Sequence, residues 1–352
     1  MPTLFDPIVY GRIECKNRVV LAPLTRARST IDSVPTDIMV QYYAQRADFG
    51  LIISEATGIN RPGLGWPYAP GIWNKEQVEA WKPITKAVHE KGGKIVCQLW
   101  HMGRLVHPEV TGCDPLSASD TTFEGRVRTY HGKVQGVPSR EMTLEEVKQT
   151  VRDFRDAAIN SIAAGFDGVQ IHATNGYLIH QFLSEKTNHR KDEYGGSLEN
   201  RLRFLKEIVT AVTDAIGADR TGIRFSPNNE IQGTFIDFEE IPYAEISDFL
   251  NEKNIAFVAL RENVEGQPHL GQKIRSCYKG KLIINQDFTR EKALKEVESQ
   301  AADAVSFGRL TISNTDFVEK LRANIHMTPR KNEIQYWYEG TAEGYTYWPE
   351  EE

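Results

Sequence analysis

Cysteine is scarce in this chain of 352 residues: Cys15, Cys97, Cys113 and Cys277 lie far apart, with no Cys-x-x-Cys pair. That spacing excludes a disulfide framework and a zinc knuckle, marks the thiols as reduced, and calls for no metal. Runs of basic residues are absent as well. With 42 Lys and Arg against 48 Asp and Glu the net charge is −6, which argues against nucleic acid or an anionic membrane and for small-molecule partners. No apolar stretch approaches the length of a membrane span, and the start, Met1-Pro2-Thr3-Leu4-Phe5-Asp6-Pro7, lacks the basic-then-apolar layout of a secretory leader, so a soluble cytoplasmic protein is expected. No low-complexity linker and no repeat of solenoid period divides the sequence. Residues 1–352 are therefore read as one domain, with 40% hydrophobic content to fill its core.

What the chain has is alternation. Short β-type runs at Arg18 to Ala22, Gly50 to Ser54, Lys94 to Leu99, Gly168 to His172, Thr221 to Phe225, Ala256 to Leu260, Lys281 to Asn285 and Ala304 to Gly308 are mostly bracketed by helical periodicity. Leu144, Val147, Val151, Phe154, Ala158 and Ile162 mark one such helix, and Thr143 with Glu146 gives it a capping-box signature. The segment from Ile8 to Glu14 reads as a hairpin ahead of the first strand. Eight βα units predict a closed (β/α)₈ TIM barrel rather than an open doubly wound sheet, because the unusual residues fall after the strands. Pro23-Leu24-Thr25-Arg26 follows the first, Glu55-Ala56 the second, Gln98 and Trp100-His101 end the third, His172 the fourth and Arg224 the fifth. Two long segments, Met102 to Met142 and Arg261 to Cys277, are expected as a lid or rim over that mouth.

The polar residues at the strand ends suggest chemistry. His172 and Asn175 are neutral hydrogen-bond donors able to polarise a carbonyl, and Tyr177 is a weak acid; a strand-end histidine is equally at home as a structural hydrogen-bonder. Phe307-Gly308-Arg309 suits a phosphate, with a glycine turn and a surface arginine as the plainer reading. Arg224 ends a buried strand and needs an electron-rich partner, which the N1–C2=O edge of a flavin would provide. Gln98 can donate and accept, which suits a flavin's pyrimidine edge or, equally, a backbone-satisfied place in the core.

Several motifs together carry a resemblance. Ala22-Pro23-Leu24-Thr25-Arg26, Ala69-Pro70-Gly71-Ile72, Gln98-Leu99-Trp100-His101-Met102-Gly103-Arg104, His172 to Leu178, Asp192 to Arg201 and Gly344-Tyr345 make the chain resemble the old yellow enzyme family of FMN-dependent ene-reductases, from its N-terminal hairpin to Tyr345. Thr25, where another branch has cysteine, is similar to the group holding the yeast enzymes and the bacterial nitrate-ester reductases. The resemblance implies that Pro23, Leu24, Thr25, Ala56, Gln98 and Arg224 contact the flavin and ribityl parts of FMN. It places the phosphate near Asp287, Phe288, Gly308 and Arg309, and Trp66, Trp100 and Tyr345 over the flavin face. It also implies a cycle in which NADPH or NADH reduces FMN and leaves before an α,β-unsaturated carbonyl enters. His172 and Asn175 then hold the carbonyl oxygen, hydride passes from flavin N5 to the β-carbon, and Tyr177 protonates the α-carbon. The Asp192 to Arg201 segment is expected to brace the rim, with Ser197 as a helix cap.

The chain departs from the family pattern at Trp66, where tyrosine is common, at Asn228-Asn229-Glu230-Ile231, at Asn285-Gln286-Asp287 and at Thr311. An Asp287 carboxylate would repel a phosphate, so it is expected to point away while backbone N–H groups bind. Two other readings compete. A flavin-free phosphosugar aldolase or isomerase fits the barrel, yet Val258-Ala259-Leu260 offers no Schiff-base lysine and Lys94 starts its strand rather than ending it. A non-catalytic flavin carrier has little use for an oxygen-polarising pair plus an acid. No Gly-x-Gly-x-x-Gly unit chooses between nicotinamides, the acceptor class stays open among enones, maleimides, nitroalkenes and nitrate esters, and the oligomeric state stays open between monomer and homodimer.

Overall fold

Runs of β-branched and apolar residues build a closed barrel at the centre of the computed structural model, which describes residues 1–227, 230–234, 243–262, 270–329, 333–338 and 340–348. β1 (Ile8–Tyr10) and β2 (Ile13–Cys15) form an antiparallel hairpin, and the barrel then takes up β3 (Val19–Leu21), β4 (Leu51–Gly58) and β5 (Ile95–Trp100). An excursion follows through β6 (Leu116–Ser117), β7 (Arg126–Thr129), β8 (Gly132–Gln135) and β9 (Arg140–Glu141). β10 (Gly168–His172), β11 (Thr221–Phe225), β12 (Phe257–Arg261), β13 (Leu282–Asn285) and β14 (Ala304–Phe307) complete the ring. All neighbours are parallel, and β14 closes on β3 through Val305↔Val19, Ser306↔Val20 and Phe307↔Leu21. The expected (β/α)₈ barrel is the fold.

The helices are α1 (Asp37–Ala44), α2 (Lys75–Glu90), α3 (Pro108–Thr111), α4 (Leu144–Ala163), α5 (Leu178–Leu183), α6 (Leu198–Ile216), α7 (Tyr243–Lys253), α8 (Leu270–Cys277), α9 (Arg290–Glu298) and α10 (Phe317–Ala323). Apolar residues at helical spacing, such as Trp81, Ile84 and Val88 of α2 or Leu202, Leu205 and Val209 of α6, join the outer faces of the strands in one core. Among the described residues no helix is long and apolar enough to cross a membrane. A second core fills the barrel floor, where Ile8, Tyr10, Ile13 and Cys15 of the hairpin meet Val20, Leu51, Val96, Phe257, Ile283 and Ala304 from the strand starts. Arg12 at the hairpin turn pairs with Asp219 at 2.6 Å.

Two strand ends differ from expectation. β4 runs on to Gly58 because a register shift between Ile53 and Ala56 lets pairing with β5 resume, so Glu55 and Ala56 lie within the strand rather than after it. Trp100 likewise belongs to β5. The Met102 to Met142 segment forms a rim: β6 pairs with β9, β7 with β8, and the Arg128 guanidinium lies 5.2 Å from the Trp66 ring and 4.8 Å from that of Tyr338. Of the other long segment, Arg261 ends β12 and Leu270–Cys277 forms α8; residues 263–269 lie outside the described residues, as do Asn228 and Asn229. Ser197 caps α6, its Oγ accepting from the Asn200 N–H at 3.3 Å, and Asp192 in the same segment takes two bonds from Arg190.

The Thr143–Glu146 capping box is present. Thr143 Oγ1 accepts from the Glu146 N–H at 3.2 Å, the Thr143 N–H donates to Glu146 Oε2 at 2.8 Å, and Arg140 donates to both carboxylate oxygens. The Arg140 guanidinium, ahead of the Thr143 contacts, holds the Glu146 carboxyl down at about 2. A folded-state pKa below the unfolded value gives stability that is present above about 4.5 and lost as pH falls toward about 2. Glu146→Gln should therefore lower Tm at neutral pH and flatten the fall of Tm across that acid window; an unchanged acid slope would refute the assignment. Thr143→Ala should cost about 1 kcal/mol in chemical denaturation.

Candidate active site

A buried carboxylate shapes the first part of the mouth. Glu55 of β4 is 1% exposed, and its Oε2 accepts the backbone N–H groups of Arg26 and Ala27, each at 3.1 Å. Burial pushes its pKa up while these two donors oppose the shift. The arc hung from it leaves Pro23, Leu24 and Thr25 partly exposed between buried neighbours.

On the far side of β5 from this arc, β10 ends at His172. Its ring lies nearly parallel to that of Trp100, 6.3 Å away at 18°, and Tyr177 stands edge-on to both, at 5.0 Å and 4.9 Å. Two successive left-handed residues, Asn175 (φ +59°) and Gly176 (φ +76°), turn the chain so that Tyr177 comes back over the histidine and leads into α5. Glycine is required there: a Cβ on Gly176 would sit 2.8 Å from the Gln232 Cβ and 2.9 Å from the Ile231 oxygen. Gln181 of α5 fastens the turn to the chain after β5. Its Nε2 donates to Gly176 O (2.8 Å) and Met102 O (3.0 Å), and its Oε1 accepts from the Arg104 N–H (3.1 Å).

Electrostatics fix the protonation states. Burial, and then the charges of Arg224 and Arg261, hold the His172 imidazole well below its usual range, so it is neutral at physiological pH. Among the described residues its Nδ1 is buried without a hydrogen-bond partner. Burial pushes the Tyr177 phenol up to about 12 while Gln232 acts the other way, so the phenol keeps its proton. Asn175 Oδ1 accepts from Arg261 Nη1 at 2.6 Å. The turn thus carries a neutral imidazole beside a protonated phenol, with the Asn175 amide between them along the chain.

The remaining strand ends fit FMN. Arg224 is buried and donates to the neutral Asn285 Oδ1 at 2.8 Å; among the described residues no carboxylate pairs with it, and burial followed by Arg261 brings it down to about 9. A buried cation held only by an amide has capacity for an electron-rich flavin edge. Gln98 Nε2 donates to Gln170 Oε1 at 2.7 Å, and the Gln170 Nε2 is a buried donor with no partner. A Cβ on Gly308 would meet only ordinary contact, Leu24 Cδ2 at 3.4 Å, so the protein's own packing does not demand glycine where a phosphate would approach. Arg309 is half exposed and pairs with Asp287, whose carboxylate turns toward this guanidinium. Phe288 packs against the main core. Thr311 is fully buried and bonds back to Gly308 O at 2.8 Å. Lys94 pairs with Asp167 at 3.2 Å, ahead of β5 and away from the mouth.

Ala56, Trp66, Trp100 and Tyr177 share one apolar cluster, but Tyr345 does not join it. Its ring is stacked on Tyr42 at 4.3 Å and 1°, with Arg26 and Arg28 over its face. Arg26 sets this outcome by donating to the carbonyls of Tyr336, Trp337 and Gly344, which turns Tyr345 inward and brings Tyr338 to Trp66, ring centres 5.0 Å apart. Tyr338, Gln181, Gln232 and Arg261 are the site neighbours that sequence reasoning missed. For Arg261 a signal existed, a charged residue ending a β-run as Arg224 does; Gln232 and Tyr338 lie in aperiodic segments and carried none.

Known proteins agree with this geometry. The model of the NADH:flavin oxidoreductase / NADH oxidase family matches residues 3–328. Flavin oxidoreductase hxnT of Emericella nidulans is 41% identical, covering 98% of this chain and 97% of its own length, and a probable flavin mononucleotide-dependent alkene reductase of Leishmania infantum is 40% identical over 90% and 89%. The solved structure of the old yellow enzyme homologue from Zymomonas mobilis superposes with a TM-score of 0.95 at 49% identity, covering 99% of each chain. A buried arginine facing amides, a neutral imidazole beside a phenol, and likeness along nearly the whole chain lead to one conclusion: this chain belongs to the old yellow enzyme family of FMN-dependent oxidoreductases that draw on NAD(P)H.

Proposed function

We propose that the chain is an ene-reductase for α,β-unsaturated carbonyls and related electron-poor acceptors, maleimides, nitroalkenes and nitrate esters among them. The observation that carries this reading is a neutral His172 imidazole edge-on to a Tyr177 phenol that retains its proton, with the Asn175 amide on the turn that joins them. The alkene-reductase name of the Leishmania relative supports it. When bound, FMN would be held by Pro23, Leu24, Thr25, Ala56, Gln98 and Arg224 with its phosphate near Asp287, Phe288, Gly308 and Arg309, and would supply the hydride, drawn from NAD(P)H, for the β-carbon of the acceptor.

The chain's own residues do the rest. His172 and Asn175 donate to the acceptor oxygen, drawing electron density from the alkene and stabilising the oxyanion that forms. A neutral imidazole keeps one N–H to donate, and its ring lies nearly parallel to that of Trp100. Tyr177, its ring held edge-on, hands its proton to the α-carbon. Trp66 and Tyr338, with Arg128 over both rings, shape the wall of the pocket.

Tyr177→Phe should slow oxidation of the reduced enzyme by cyclohexenone more than reduction of the flavin by NADPH, followed by stopped-flow absorbance; equal losses in both half-reactions would remove Tyr177 as the proton donor. His172→Ala should cost ~2 to 4 kcal/mol of transition-state stabilisation in enone reduction and weaken phenol binding. Because the His172 pKa is depressed, the imidazole is neutral above that pKa and protonated only in more acid solution. The enone half-reaction should then show no His172-dependent step between about pH 6 and about pH 8. A step near pH 6.5 that disappears in His172→Asn would contradict this.

A further inference from the structure

Arg261, the last residue of β12, belongs to no motif used above, yet it touches one of the two proposed oxygen-binding groups. Its Nη1 donates to Asn175 Oδ1 at 2.6 Å and its Nε to Gln286 Oε1 at 3.0 Å. A guanidinium only donates, whereas a primary amide presents an acceptor on one side and a donor on the other. An arginine beside an asparagine therefore decides which side faces the rest of the site. Thr174 Oγ1 donates to the same Oδ1 at 3.4 Å, and Gln232 Nε2 holds the Asn175 backbone carbonyl at 2.5 Å, which keeps the left-handed residue from turning as a unit. Among the described residues no acceptor engages Asn175 Nδ2.

We propose that Arg261 is a positioning residue that sets the polarity of the Asn175 amide, holding Oδ1 on its own guanidinium so that Nδ2 is the side left for the acceptor oxygen. The inference rests on the proposed role of Asn175. Without the guanidinium the amide can rotate by half a turn, and Oδ1 would then face the carbonyl oxygen, acceptor against acceptor. The positive charge also strengthens Nδ2–H as a donor, since withdrawing density at Oδ1 polarises the whole amide. Gln286 supports the arrangement by taking the Nε–H, so the arginine approaches Asn175 along a fixed line.

The test uses the FMN-loaded enzyme and two probes of one shape, 2-cyclohexen-1-one, whose oxygen only accepts, and 2-cyclohexen-1-ol, whose hydroxyl also donates. Binding to the oxidised enzyme is read from the change in flavin absorbance. Arg261→Met should weaken enone binding roughly tenfold and leave the alcohol within about twofold, because a reversed amide can still accept from a hydroxyl. Arg261→Gln, which restores a neutral donor, should recover most of the enone preference. Adding Arg261→Met to Asn175→Ala should cost nothing further, since the two act through one contact. Equal loss of both probes in Arg261→Met, full additivity in the double variant, or unchanged enone affinity would overturn the proposal. If Asn175→Ala itself leaves enone binding intact, the assignment of Asn175 to the acceptor oxygen fails; if it weakens binding while Arg261→Met does not, the failure belongs to Arg261 alone.

Discussion

Closure of β14 onto β3 is the constraint on which the site depends. Parallel strands all end on the same side, and only a closed ring brings the first and last of them together. Leu24 after β3 comes within 3.4 Å of the place where a Cβ on Gly308 after β14 would stand, so the loop carrying Thr25 and the loop carrying Arg309 meet across that seam. One end of an elongated cofactor and its middle can then be held by residues almost a full chain length apart. The hairpin plug and the helix faces serve the same end by fixing the tilt and spacing of the strands.

A second theme is the use of amides as partners for buried donors. Arg224 leans on Asn285, Arg261 on Gln286 and Asn175, and Gln98 on Gln170. The contacts of the two arginines satisfy donors without cancelling positive charge. The mouth keeps a positive field that favours negative charge arising within it and that adds to burial in keeping His172 neutral. The Asp287 carboxylate sits at the solvent-exposed Arg309, where its influence is most screened. Glu55 is the exception that is buried, and it is spent on backbone N–H groups rather than on a cation.

The barrel was legible because β-branched runs and helical periodicity alternate without interruption, and the polar trio because His172 breaks an apolar run at its end. Glu55 and Ala56 were placed one step too late, since a bulge that lengthens a strand leaves no mark in its periodicity. Arg261 carried the same sign as Arg224 and was assigned to a loop because the segment beyond it has no regular pattern. Tyr345 and Tyr338 could not be told apart in advance. Both are aromatic residues of a C-terminal tail, and their fates are decided by three carbonyl contacts to Arg26, more than three hundred residues earlier in the chain.

The hairpin at the barrel floor has a consequence for traffic. With Ile8, Tyr10, Ile13 and Cys15 packed into the strand starts, the barrel is a cul-de-sac with its doorway at the rim. On the proposed reading, electron donor and electron acceptor must use that doorway in turn, each standing where the other stood. Abundance of either then delays the other, and the balance of the two in the surrounding solution paces turnover as much as the chemistry inside.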